Sequence, residues 1–219
     1  MFAKDVKHLI QKEFQMEWKQ KFSLSGMLLY IISTLYVCYL SFHQIIDPIT
    51  WNALFWVISL FAAINAVAKS FIQESTGQHL YIYTIANPNA VIIAKIIYNA
   101  VLLSGLSVVT FCFYILFIGN LVENILLYVA CILLGNCCLS SILTIISAIA
   151  SRANNSWALM AILSFPLIFP LLITILKLSK NIIDGLSFSV DLKYIIILIA
   201  LNIISVTLGY ILFPYLWRD

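Results

Sequence analysis

The amino-acid sequence predicts an all-α integral membrane protein, with an N-terminal amphipathic helix followed by six transmembrane helices. The first observation is composition: of 219 residues, 63% are hydrophobic and 10% are charged. A soluble domain carries roughly 45–50% apolar and about 25% charged residues. The second observation is that the apolar residues fall in long stretches separated by short polar breaks. Together they exclude a water-soluble globule and a disordered chain, which needs low hydrophobicity.

Residues 1–22 are predicted to form an amphipathic helix on the cytoplasmic surface of the membrane. Apolar residues recur there at spacings of three and four, with lysines between them. The apolar positions are Phe2, Val6, Leu9, Ile10, Phe14 and Trp18. Such a helix lies with its apolar side in the headgroup boundary. It either anchors the protein only or also forms an elbow that grips a partner.

The remaining chain, residues 23–219, is predicted to hold all six spans. A helix crosses the ~30 Å hydrocarbon core with about 20 mainly apolar residues. The predicted spans are Ser23–Phe42, Ile49–Ala68, Ala90–Ile118, Asn124–Ala150, Ser156–Leu176 and Tyr194–Phe213. Two connections are longer than a tight turn: Glu74–Pro88, within the cytoplasmic loop 69–89, and Lys177–Lys193.

The basic residues predict the orientation, because lysines and arginines close to spans stay cytoplasmic. Placing both termini and loop 69–89 in the cytoplasm leaves only Lys177, Lys180 and Lys193 outside, among 12 lysines and arginines. The net charge of +3 is therefore a topology signal, and no nucleic-acid surface is predicted.

The spans hold almost no ionisable groups, which would mark ion or proton paths at mid-bilayer. Lys95 lies one to two turns into the third span, where its side chain could snorkel to the cytoplasmic interface, and Glu123 lies at the opposite rim. There is no HExxH motif and no Ser/His pair, so we predict no catalytic residue, no metal and no enzyme. His43 is a weak candidate haem ligand; the alternative is a polar helix cap.

Milder polar and small residues lie within the second and fourth spans. They are Asn52, Asn65, Gly135, Asn136, Ser140 and Ser141. Such residues let helices approach closely and hydrogen-bond, or they line a pathway. In the fifth span, Pro166 and Pro170 are four residues apart on one face. Each removes a backbone hydrogen bond, which predicts a kink and a candidate gating element.

The loop 69–89 is not polar throughout, because Leu80 to Ile85 form an apolar and aromatic run. Exposed apolar residues need a partner surface. A short helix after Gly77, ended before Pro88, would present them to a cytoplasmic protein or to the membrane.

This loop resembles that of ABC-2 type transporter membrane subunits, and among them the heme exporter protein B (CcmB) family of bacterial cytochrome c maturation. The shared pattern is Glu74, Gly77, the apolar run, Pro88 and Lys95 just inside the next span. A second match is the Arg152 loop followed by the span with paired prolines. The length and the N-terminal helix agree as well. The family's run is richer in leucine than this one.

The resemblance implies an ABC-2 type permease fold in the bacterial inner (cytoplasmic) membrane and a homodimer, docked on a cytoplasmic ATP-binding subunit (CcmA-like). The implied docking residues are Glu74, Gly77, Leu80, Tyr81, Tyr83 and Pro88. Further implied partners are a haem-handling membrane protein (CcmC-like), a small membrane protein (CcmD-like) and a periplasmic haem chaperone (CcmE-like). The chain has no GxxxxGK[ST] motif, so ATP belongs to the partner. No cofactor is expected on the chain itself, and haem only through the complex.

In this family, ATP hydrolysis is linked to release of the haem-loaded chaperone. Two alternatives stay open: an ABC-2 permease that exports a lipid, a polysaccharide or a drug, and a scaffold that couples an ATPase to partner release without transport. For the contact between two copies, small residues at the cytoplasmic end of the first span are the candidates. They are Ser23, Ser25 and Gly26.

Overall fold

The computed structural model describes residues 2–19, 21–42, 47–72, 87–151 and 156–218. These residues form mainly α-helices, as predicted. The helices are α1 (Phe2–Lys19), α2 (Lys21–Ser41), α3 (Pro48–Ile72), α4 (Pro88–Ile118), α5 (Ile125–Ala150), α6 (Ser156–Ile183) and α7 (Phe188–Arg218).

Five helices among the described residues are long and apolar enough to cross a membrane. The spanning segments are Pro48–Ala68, Pro88–Ile118, Ile125–Ala150, Ala158–Ile183 and Phe188–Leu216. Helix α2 carries a shorter apolar stretch, Ser25–Ser41. Five of the predicted spans are therefore found, and the first of the six stays a prediction.

The predicted long connection Lys177–Lys193 is wrong, because both flanking helices extend into it. Helix α6 continues to Ile183 and α7 begins at Phe188. The end of α6 is set by Gly185, which has φ 66° and donates from its backbone N–H to Ile182 O at 3.4 Å. The next amide, Leu186 N–H, donates to Asn181 O at 3.0 Å. This pair of bonds is the Schellman motif, in which glycine takes the left-handed conformation.

Helix α5 is the centre of the bundle and packs against α3, α4, α6 and α7. Its Gly135 allows a close approach of α3, because a Cβ atom added there would lie 2.8 Å from Trp56 Cη2. Without a hydrophobic driving force in lipid, such small residues let transmembrane helices gain van der Waals contact.

Polar side chains inside the spans connect neighbouring helices. Ser140 Oγ donates to Ile96 O at 2.8 Å, and Asn52 Nδ2 donates to Leu176 O at 3.1 Å. These side chains are buried, whereas Asn65 is exposed. The helix-packing interpretation is therefore confirmed for Ser140 and Asn52.

Buried aromatic residues fill the end of the bundle where α3 and α5 begin and α4 ends, which the topology predicts to be external. This aromatic cluster consists of Trp51, Phe55, Phe111, Tyr114 and Tyr128. The rings of Trp51 and Tyr114 meet edge to face with centroids 4.9 Å apart, and Tyr114 Oη donates to Trp51 O at 2.6 Å. Ring contact and hydrogen bonding together fix the relative positions of these helices.

Candidate functional site

Helix α1 lies against the first turns of α4, at the end of the bundle that is predicted to be cytoplasmic. It contacts α4 far more extensively than α2. Its Leu9 packs against a buried apolar group formed by α4, α5 and α7. The members of that group are Val91, Ile92, Ile96, Ala148 and Phe213. The amphipathic helix is thus attached to the bundle as well as suited to the membrane surface.

A buried ion pair joins α1 to α4. Lys95 is only 2% exposed, and its Nζ lies 3.6 Å from Glu13 Oε1. The expectation that Lys95 snorkels to the interface is wrong, because α1 covers it. A buried ammonium is costly unless a carboxylate compensates it, and Glu13 brings that carboxylate from α1.

Tyr98, one turn further along α4, makes a second polar contact with α1. Its ring meets that of Phe14 edge to face, with centroids 5.1 Å apart. Its hydroxyl lies close to the carboxylate of Glu17. Because Glu13 and Glu17 are four residues apart, both lie on the side of α1 that faces α4. We call Glu13, Phe14, Glu17, Lys95 and Tyr98 the elbow contact.

The two glutamates of the elbow contact were not predicted, because the sequence of α1 was interpreted from its apolar stripe alone. In the structure Phe2 and Phe14 of that stripe are each 42% exposed, whereas Glu13 is 13% exposed. A signal was present in the sequence: two carboxylates four residues apart on an amphipathic helix, and a single lysine inside an otherwise apolar span.

The proposed docking residues Glu74, Gly77, Leu80, Tyr81 and Tyr83 lie outside the described residues, so they stay predictions. The structure does describe the end of their loop. Pro88 is the first residue of α4, and Asn87 caps the helix by accepting from Asn89 N–H at 3.1 Å. Proline suits this position because the missing amide would have no partner in the helix. Lys95 follows about two turns later, so the elbow contact comes directly after the loop.

The two prolines of the fifth predicted span lie inside α6, which is helical on both sides of them. Pro166 and Pro170 are both exposed, so they lie on the outer surface of α6 and not on its packed side. Thr174 Oγ1 donates to Pro170 O at 2.8 Å. The role of the prolines in gating stays a prediction.

The structure describes the side-chain surroundings of only two of the three candidate dimer-contact residues, Ser25 and Gly26. Gly26 is exposed, and a Cβ added to it would meet no atom within 4 Å in the part of the chain that the structure describes. Ser25 is exposed as well. The side chain of Ser23 and the whole of His43 lie outside the described residues, so the dimer contact and the haem-ligand candidate stay predictions.

The end of the bundle that is predicted to be external carries several carboxylates. Asp47 caps α3, where its Oδ2 accepts from Thr50 N–H at 3.1 Å. Hydrogen bonds from Thr50 hold the pKa of the Asp47 carboxyl below its ordinary value. Across the described residues, no three His, Cys, Asp or Glu side chains lie close enough together to hold a metal ion.

Long apolar helices around a central helix, with an amphipathic helix held to the first turns of one span, define a multi-pass membrane protein. A family model described as CcmB protein matches residues 4–215. The chain therefore belongs to the CcmB family, the heme exporter protein B family, as the loop pattern predicted. It is a membrane permease subunit in heme transport and cytochrome c biogenesis, and not a catalytic enzyme. The comparison with curated proteins gave no match.

Proposed function

We propose that the chain is the permease subunit of an ABC transporter complex for cytochrome c maturation. It spans the bacterial inner membrane six times in an ABC-2 type fold, with both termini and loop 69–89 in the cytoplasm. Two copies pair and dock on two ATP-binding subunits. ATP hydrolysis there drives release of the haem-loaded chaperone from the haem-handling membrane protein.

The elbow contact is the observation that carries this proposal. Loop 69–89 ends at Pro88, and α4 continues from there without a break to Ile118. Within its first turns α4 is joined to α1 through Lys95 and Tyr98. A displacement of the loop by a docked ATPase would therefore move α4 and α1 together, and α4 reaches the opposite membrane surface as one rigid element.

The experiment that tests docking is the double substitution Tyr81→Ala and Tyr83→Ala. Aromatic side chains at interface hot spots contribute about 2 kcal/mol or more each, so the ATP-binding subunit should be lost on purification while the chain still inserts. Tyr36→Ala with Tyr39→Ala is the matched control, because both tyrosines are exposed on α2 near the opposite end. Undiminished co-purification of the ATPase with the Tyr81/Tyr83 variant would refute the docking site.

Co-purification also distinguishes this function from the alternatives. The haem-handling membrane protein and the periplasmic haem chaperone should accompany the chain, and ATP should release the chaperone. Absence of both, together with export of a lipid, polysaccharide or drug into vesicles, would favour the general ABC-2 permease. ATP-dependent release without any transport would favour the scaffold.

The pairing of two copies is tested at Gly26. Gly26→Leu blocks close approach at that point, so it should reduce cross-linking between copies and ATPase stimulation at normal expression. Gly105→Leu is the control, since Gly105 on α4 is also exposed with open space around it. Cross-linking that survives in Gly26→Leu and is lost in Gly105→Leu would place the interface on α4.

A further inference from the structure

A cavity of about 130 Å³ lies between α5, α6 and α7 at the end opposite the elbow contact. Its wall is apolar apart from two side chains, Cys131 and Asp191. Leu134, Leu178 and Ile195 are among the apolar residues that line it. Neither the aromatic cluster nor the elbow contact contributes a residue to this wall.

Asp191 is a buried carboxylate in that wall. It belongs to the first turn of α7 and is only 3% exposed. Its Oδ1 has no hydrogen-bond partner among the residues that the structure describes. An unpaired polar atom in apolar surroundings is costly, and a carboxylate anion more so. The site therefore favours an occupant that brings a positive charge.

The neighbouring lysines do not provide this charge. Lys180 Nζ lies 4.0 Å from Asp184 Oδ2, with which it forms an exposed ion pair. Lys177 and Lys193 are both exposed. This contrasts with the other end of the bundle, where Glu13 is built in beside Lys95.

The cavity opens on the outer surface of the bundle. Two of its lining residues, Leu127 and Phe188, are 38% and 57% exposed. Phe188 starts α7, and Leu127 lies in the first turn of α5, so the opening is at the rim of the spans. Apolar residues at such an opening face lipid, and an occupant with an apolar chain reaches the cavity from the membrane.

We propose that this cavity binds the head of an alkylammonium amphiphile taken from the membrane. The ammonium group lies against the Asp191 carboxylate, and the first methylenes contact Leu134, Leu178 and Ile195. An apolar cavity of about 150 Å³ takes one benzene-sized molecule, so this cavity has room for the amine and a few carbons only. The rest of the chain leaves between Leu127 and Phe188. Anionic head groups are disfavoured by the carboxylate.

Photolabelling of the purified full-length chain in lipid nanodiscs tests the site. The probe is a dodecylamine with a diazirine next to the amino group, and the matched probe is the alcohol of the same skeleton. The amine should label the cavity-lining peptides of α5 and α7 at least about tenfold more than the alcohol, as expected for a charge-assisted hydrogen bond. Equal labelling by the two probes would overturn the proposal.

Separate variants test the charge of the carboxylate and the volume of the cavity. Asp191→Asn should lower amine labelling to the level of the alcohol, whereas Asp184→Asn, at an exposed carboxylate of the same end, should leave it unchanged. Leu134→Trp fills the cavity and keeps the carboxylate, so it should abolish labelling. If Asp191→Asn fails to fold, the labelling of Leu134→Trp still tests whether the amine binds in this cavity. Amine labelling that persists in either Asp191→Asn or Leu134→Trp would overturn the site. Excess propylamine carries the ammonium group and the few carbons for which the cavity has room, so it should reduce amine labelling; undiminished labelling would overturn binding of the head in this cavity.

Discussion

The two ends of α4 are held in physically different ways. At its first turns, Lys95 and Tyr98 meet α1, a helix outside the bundle, through an ion pair and a single edge-to-face ring contact. At its last turns, Phe111 and Tyr114 lie in the aromatic cluster with α3 and α5 on either side. The contact of the first end with α1 includes charged groups, whereas the second end is held by packing of aromatic rings among spans. At the end that follows the docking loop, the contact between α4 and α1 is thus the one that a change of charge can weaken.

Glu13→Gln is the substitution with the largest expected effect, which is to weaken the attachment of α1 to α4. It removes the carboxylate beside a buried ammonium, and loss of one partner of a buried pair costs about 3 kcal/mol or more. Amide exchange of residues 2–19 should then accelerate about 100-fold, while exchange in α5 stays slow. Asp5→Asn, at an exposed carboxylate of the same helix, is the control. Equal protection of α1 in both variants would show that the ion pair does not hold it.

Gly135→Leu tests the packing of the bundle itself. The new side chain collides with Trp56 at a position where even a Cβ atom is too close. Overpacking of this kind costs about 1–3 kcal/mol, so the thermal unfolding midpoint should fall. Gly105→Leu meets open space and should leave the midpoint unchanged or raise it. If both variants unfold alike, the close approach of α3 to α5 is not a determinant of stability.

Tyr114→Phe is a milder test at the aromatic end. It keeps the ring in the cluster and removes the hydrogen bond from Tyr114 Oη to Trp51 O. Interhelical hydrogen bonds in membranes average about 0.6 kcal/mol, so we expect a small loss of stability and unchanged exchange of α1. Tyr36→Phe, at an exposed tyrosine, is the reference. A loss of stability as large as that in Glu13→Gln would contradict the interpretation that this end is held mainly by ring packing.

Single cysteines decide which end faces outward, with no expected effect on stability. Ser187 and Lys4 are both exposed, at opposite ends of the bundle. In a background without native cysteines, Ser187→Cys should react with a membrane-impermeant thiol reagent added to intact cells, and Lys4→Cys only after lysis. The reverse pattern would put loop 69–89 outside and remove the basis for ATPase docking.

Hydropathy predicted the positions of most spans because a long apolar run is stable only inside the membrane. The predicted third span, Ala90–Ile118, differs from Pro88–Ile118 only at its first residues. The ends of α6 and α7 were predicted poorly. Charges such as Lys177 and Lys193 were taken as loop signals, yet charged side chains at a helix end can reach water without unwinding it. Gly185 was the better signal, since its φ above zero ends α6.

The pairing of Glu13 with Lys95 and the Asp191 cavity were not predicted, because the sequence signals of the individual residues do not show which helices pack together. Glu13 and Lys95 lie on different helices, and only the packing of α1 on α4 brings them together. Asp191 was assigned to a polar connection, because periodicity does not show which side of a helix neighbouring elements will cover. Such tertiary juxtapositions depend on helix orientation, which the hydrophobic pattern of a uniformly apolar span does not encode.

The position of Glu13 near the start of the chain has a consequence for membrane insertion. The ribosome makes Glu13 before Lys95, so in the predicted topology the carboxylate is already at the cytoplasmic surface when α4 enters the translocon. A lysine costs about 2.5–3.5 kcal/mol on insertion at the centre of a helix, and Lys95 lies near the start of its span. The growing chain therefore carries the counter-charge for its own lysine before that lysine has to leave water.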